Sequence, residues 1–196
     1  MSGVEKGVRV KRIIVGISGA SGTIYGVRLL EVLKGIDGIE THLIMTRGAR
    51  VAMELETAMK PERVEQLADH VHSQDNLAAG VSSGSFRTEG MAVVPCSMKS
   101  LAMIANSLND NLLVRAADVI LKERRKLVLV PRETPLHLGH LRHMITVTEL
   151  GGIILPPVPS FYHQPKTIQD IIDQTVGKVL DQFGIEHNLF QRWAGG

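Results

Sequence analysis

Arg132 and Glu133 stand side by side just past the apolar run Leu127 to Val130, in the segment Val130-Pro131-Arg132-Glu133. A cation beside a carboxylate can hold an anion and still offer a group for proton transfer. A plain salt bridge is the other reading of the pair. Two more segments have the composition of anion cradles. Gly19-Ala20-Ser21-Gly22 and Pro95-Cys96-Ser97-Met98-Lys99-Ser100 each follow an apolar run and open a helical pattern. Free amides and the helix dipole attract negative charge there, and small residues let the backbone approach a ligand. Ser21, Ser97 and Ser100 are equally suited to capping, and Cys96 to a small buried hydrophobe. Arg115 and Asp118 have the spacing of a surface pair. Lys122 to Lys126 reads as a solvated charged face in which one or two cations carry function. His137, His140 and His143 advance in steps of three, which drift off one helical face, and no cysteine or carboxylate cluster completes a ligand set. No metal is expected.

The glycine-rich turn is not a dinucleotide fingerprint. That motif needs a third glycine and an acid about 20 residues on, at the end of the second strand. Glu40 precedes that strand, which ends instead in Thr46, and the Lys of a Walker loop is missing. NAD and ATP are disfavoured, while a mononucleotide such as FMN remains open.

These segments need elements to hold them. Apolar runs at Ile13 to Ile17, Thr41 to Met45, Met91 to Val94, Leu127 to Val130 and Ile153 to Leu155 read as strands, with helical sequence between them. Helices are expected after Gly22, at about Ala49 to Thr57, for a turn or two after Pro61, and most clearly from Ile168 to Phe183. Gly80 to Gly84 reads as a polar loop. Strands that are apolar throughout, separated by helices, make a parallel sheet covered on both faces. The expected fold is therefore one doubly wound α/β domain over residues 1–196, flavodoxin-like or Rossmann-like, with residues 1–11 a flexible extension. Ligands in such folds sit beyond the carboxyl ends of the strands, where the three segments fall.

Composition narrows the class. A formal charge of +2 and 4% aromatic residues give no nucleic-acid surface. A single cysteine fits a reducing compartment. The first dozen residues lack a signal-peptide core, and no apolar run approaches the ~20 residues that span a bilayer. A soluble, cytoplasmic protein is expected.

Taken in order, Gly19-Ala20-Ser21-Gly22, Pro95-Cys96-Ser97-Met98-Lys99, Arg115-Ala116-Ala117-Asp118-Val119, Leu121-Lys122-Glu123-Arg124-Arg125, Leu127-Val128-Leu129-Val130-Pro131-Arg132-Glu133 and Phe161-Tyr162-His163-Gln164-Pro165 resemble the UbiX-type flavin prenyltransferases, from Ile13 to Trp193. The resemblance implies a homododecamer with FMN at subunit contacts. It implies transfer of a dimethylallyl group from dimethylallyl phosphate to reduced FMN, giving prenylated FMN for a UbiD-type decarboxylase. It places FMN against Gly19, Ala20, Ser21, Thr46, Ser97, Met98, Lys99, Ser100 and Arg115. It places dimethylallyl phosphate against Tyr162, Lys178, Lys122 and Arg132, and makes Glu56 and Glu133 the active-site acids. The family commonly carries Arg where Lys178 stands, so the bidentate fork for phosphate is lost there.

The chain has no aspartate-rich magnesium motif. Lys122, Arg132 and Lys178 are expected to meet the departing phosphate, with Tyr162 donating a hydrogen bond. Glu133, helped by the released phosphate, would shuttle the proton lost on ring closure, and Ser21 would orient the flavin ring. Two other readings compete: a flavin-dependent decarboxylase acting itself on an aromatic acid, and a non-catalytic FMN carrier. The segment Pro157-Val158-Pro159-Ser160-Phe161-Tyr162 argues against the cysteine-decarboxylating kind, and the cations around Glu133 against the carrier.

Overall fold

A computed structural model describes residues 10–193 and 195. Its core is a six-stranded parallel sheet in the order β3-β2-β1-β4-β5-β6. The strands are β1 (Lys11–Ile17), β2 (Ile39–Met45), β3 (His70–Ser73), β4 (Gly90–Cys96), β5 (Lys126–Pro131) and β6 (Ile153–Ile154). The helices are α1 (Thr23–Lys34), α2 (Arg47–Glu56), α3 (Pro61–Glu65), α4 (Met98–Ala105), α5 (Leu112–Lys122), α6 (Leu138–Glu149) and α7 (Ile168–Phe183). Lys11 opens β1, inside the extension expected from the sequence, whose residues 1–9 lie outside the described residues.

Strand alternation divides the core in two. Ile13, Val15 and Ile17 pack with Val27, Leu30, Val176 and Leu180 of α1 and α7. Ile14 points the other way, into a layer with Leu101, Leu113 and Ala117 of α4 and α5. Each of these valine, leucine and isoleucine side chains, fully buried, contributes about 1.5–3 kcal/mol. The central strands read as continuous apolar runs because both faces are covered. Gly26 lets α1 lie directly on β4: a Cβ there would come within 2.2 Å of the Val94 carbonyl oxygen.

Two elements escape the sequence reading. β3 is an edge strand of four mostly exposed residues, His-Val-His-Ser, so it carries no apolar run. In α6 most apolar residues lie outward: Leu138, Leu141 and Ile145 are exposed and Val147 is the buried one. The strand order reverses between β1 and β4, the two strands that precede the glycine-rich turn and the Ser97 loop. That crevice is the switch point at which parallel α/β sheets bind ligands.

Candidate functional site

Three loops converge at the carboxyl ends of the central strands, and buried Ser18 ties two of them together. Its Oγ donates to the Pro95 carbonyl oxygen (3.0 Å) and accepts from the Ser97 amide (2.7 Å). The next residues of that turn meet the loop after β2. A Cβ on Gly19 would come within 2.9 Å of the Gly48 backbone, so the two loops touch only because both residues are glycine. Thr46 caps α2 by accepting from the Ala49 amide (3.1 Å), and Ser97 caps α4 by accepting from the Ser100 amide (3.2 Å). Ser100 is buried, and its Oγ accepts a hydrogen bond from Ser97 Oγ at 3.1 Å. At α1 the cap is Gly22 with φ +96°, not Ser21, whose side chain stays exposed.

A cleft of about 620 Å³ opens over these loops, within the range of small-molecule sites. Gly19, Thr46, Ser97, Met98, Lys99, Ser100 and Glu133 line it. A second cleft of about 490 Å³ lies on the other side of the glycine-rich turn. Ser21, Gly22, Glu56 and Arg132 form its polar wall, and Ile24, Tyr25, Ile168 and Ile172 its apolar wall. Glu56 is fixed there by the Gly22 amide, which donates to Oε2 at 2.8 Å. Adjacent residues thus serve different clefts: Glu133 faces the larger and Arg132 the smaller. Arg132 is anchored by its own amide, which donates to the Cys96 carbonyl oxygen (3.2 Å). Burial pushes the Cys96 thiol up to about 12, so it is not a thiolate nucleophile at neutral pH. Burial likewise raises the Tyr25 phenol.

Five expected residues are not brought to either cleft by a single chain. Ala20, between Gly19 of the larger cleft and Ser21 of the smaller, lines neither, and its amide donates to the Ser18 carbonyl oxygen (2.8 Å). Arg115 donates from Nε to the Ser82 carbonyl oxygen (3.2 Å) and from NH1 to Asp118 (3.1 Å). Lys122 pairs with Glu123 at the end of α5. It precedes β5 while Arg132 follows it, so a strand about 20 Å long separates them. Lys178 pairs with Asp181 at 3.4 Å. It stands six residues of α7, about 9 Å, beyond Ile172, the last residue of that helix to line the smaller cleft. Tyr162 is exposed, edge-on to the rings of His163 (5.5 Å) and Trp193 (6.2 Å).

Other residues enter the larger cleft unannounced: Arg47, Gln74, Asp75, Asp110 and Asn111. Gln74 accepts from the Arg47 amide at 3.0 Å, and Asp75 pairs with the Arg47 guanidinium at 2.9 Å. Gln74 and Asp75 follow β3, and recognising that strand was the signal that would have found them.

The donor set suits a flavin mononucleotide. The glycine contact leaves the backbone bare, hydroxyl-capped helix starts line the larger cleft, and Lys99 and Arg47 add positive charge. A family model described as Flavoprotein matches residues 2–180. The flavin prenyltransferase UbiX of Salmonella typhimurium is 57% identical over 188 residues, which cover 95% of this chain and 100% of that protein. The crystal structure of AnUbiX in complex with FMN and dimethylallyl pyrophosphate superposes with a TM-score of 0.94 at 50% identity, over 96% of this chain and 100% of the other. A dodecameric FMN-dependent UbiX-like decarboxylase from Escherichia coli O157:H7 superposes with a TM-score of 0.92 at 50% identity, over 94% of this chain and 100% of the other.

Proposed function

The chain belongs to the UbiX family of flavin prenyltransferases, and from that premise we propose that its two adjoining clefts divide the reaction, the larger holding FMN and the smaller the prenyl donor. The chain is a flavin prenyltransferase that joins a dimethylallyl group to reduced FMN. The observation that carries the two-cleft reading is the split of neighbours across one wall, Glu133 to one side and Arg132 to the other.

Reduced FMN supplies the nucleophilic ring atoms. The chain supplies the rest. When the allylic carbon–oxygen bond breaks, its electron pair leaves with the phosphate, and the Arg132 guanidinium meets the charge that develops there. Ile24, Ile168 and Ile172 offer the five-carbon group an apolar wall that excludes water. Ser21 lines the smaller cleft, two residues along the turn from Gly19 of the larger, and would orient the flavin ring from the donor side. Forming the carbon–nitrogen bond would shed the N–H proton to the departing phosphate. Ring closure would add a proton to the prenyl double bond and release one from the ring carbon, and the Glu133 carboxylate takes that released proton so that none is lost overall. Glu56 holds the glycine-rich turn through the Gly22 amide and acts on the site by positioning it.

The donor is the monophosphate in our reading, because the smaller cleft offers one guanidinium and no acidic cluster to hold the magnesium that a diphosphate leaving group requires. Lys122, Lys178, Tyr162 and Arg115 act at the cleft of a neighbouring copy in a dodecamer, which explains why one chain leaves them distant. The prenylated flavin is passed to a UbiD-type decarboxylase, and the chemistry belongs in a reducing cytoplasm that keeps FMN reduced. Among the described residues no helix is long and apolar enough to cross a membrane.

Arg132→Met tests the division. It should raise the KM for dimethylallyl phosphate by about 10–100-fold, the worth of a charged hydrogen bond, while the Kd for FMN moves less than about twofold. Equal losses of both affinities would contradict separate clefts.

A further inference from the structure

Away from both clefts, three imidazoles and a carboxylate gather across the β2–β3 pair. Strand alternation puts Glu40 and His42 on one face of β2, and parallel register sets His42 opposite His70, with His72 two residues on. His42 Nε2 lies 2.9 Å and His70 Nε2 3.5 Å from the same oxygen, Glu40 Oε1. All three donor atoms fall within 4.8 Å of one another. Two ligands bound tetrahedrally at the usual zinc distances sit about 3.3 Å apart, so only small adjustments close the set. His70, half-exposed on the edge strand (53%), is free to make them, while His42 (6%) is fixed in place.

We propose that Glu40, His42 and His70 form a binding site for a divalent transition metal, zinc above all, on the sheet edge. The remaining ring nitrogen of His42 supports it. Nδ1 lies 3.0 Å from His72 Nε2, so His42 can donate there and present Nε2 as the lone-pair ligand. Such outer hydrogen bonds hold a ligating imidazole in the correct tautomer and orientation. The Arg12 guanidinium donates from Nε to Glu40 Oε1 at 2.9 Å and becomes an outer partner of the carboxylate. Its charge opposes any cation, which selects metals that bind imidazole strongly over magnesium or calcium. The fourth position, beside half-exposed His70, is left for water. The site clamps the short edge strand β3 to β2. His42 lies four residues, about 13 Å, before Thr46 of the larger cleft, so the metal takes no part in prenyl transfer. The sequence alone gave no sign of this set: Glu40 and His42 stand two residues apart, but His70 is 28 residues beyond His42 and joins them only through strand pairing.

Titration of untagged, chelator-stripped, full-length protein with zinc chloride, followed by calorimetry, tests the site. One equivalent per chain should bind wild type and raise its Tm. His70→Asn and Glu40→Gln should each weaken that equivalent by tenfold or more, and His72→Phe by about 10–100-fold. FMN binding, measured alongside, reports that each variant is folded. No zinc equivalent in wild type, or one that persists unweakened in both His70→Asn and Glu40→Gln, overturns the proposal.

Discussion

Glu133 Oε1 accepts a hydrogen bond from the Thr134 amide at 3.1 Å, so the carboxylate is held at the rim of the larger cleft by its own neighbour. Glu133→Gln keeps that acceptor and the size of the side chain but cannot take a proton. It should bind FMN as wild type does and slow formation of the closed-ring product by about 10²–10⁴-fold, read in single-turnover mass spectra. Ring closure at the wild-type rate would remove Glu133 from the mechanism. Gly19 makes a different kind of prediction. A Cβ there meets the Gly48 backbone at 2.9 Å, and neither loop can yield without moving the Thr46 cap. Gly19→Ala should cost about 1–3 kcal/mol in chemical denaturation and weaken FMN binding more than donor binding. Arg132, Glu133 and the glycine-rich turn were legible in the sequence because each sits just past an apolar run. The role expected of Ser21 as a cap was not: Gly22 takes it in a left-handed conformation that favours glycine.

Among the elements, α7 is the one whose periodicity foretold its bounds from Ile168 to Phe183, helped by a capping box between Thr167 and Asp170. Its far end is secured by Asp181, which pairs with Arg192 (2.6 Å), His187 (3.2 Å) and Lys178 (3.4 Å). Hydrogen bonding from Arg192 above all holds the Asp181 carboxyl below its ordinary 3.8, against the effect of burial. A depressed carboxyl stabilises the fold above its unfolded-state pKa and loses that contribution as pH falls through the folded value. Melting temperatures should therefore fall on acidification below about pH 4 less steeply in Asp181→Asn than in wild type. Parallel curves would show that Asp181 carries none of the acid sensitivity. β3 and α6 were not legible for opposite reasons. One is an edge strand of polar residues, and the other turns much of its apolar surface outward.

At the scale of the whole molecule, that outward surface bears on the proposed assembly. Leu138, Leu141, Ile145, Phe161 and Trp193 are exposed on the single chain, and a family neighbour is dodecameric. Fold class followed from the strand–helix alternation, whereas assembly and the flavin followed only from resemblance to a family. Surface residues carry no periodic signal of the partner they face. If Lys122 serves a neighbour's cleft, then Lys122→Ala and Glu133→Gln fail in different ways. Co-expressed in one oligomer they should recover part of the activity that each lacks alone, because some clefts receive both intact residues. Mixed assemblies as inactive as their parents would return Lys122 to the surface. Prenyl transfer by this chain is read out without air, by mixing the purified protein, reduced FMN and dimethylallyl phosphate and weighing the flavin. The expected product is a flavin heavier by one dimethylallyl group less a proton, formed at full rate in the presence of a chelator. FMN that remains bound and unmodified would contradict that transfer.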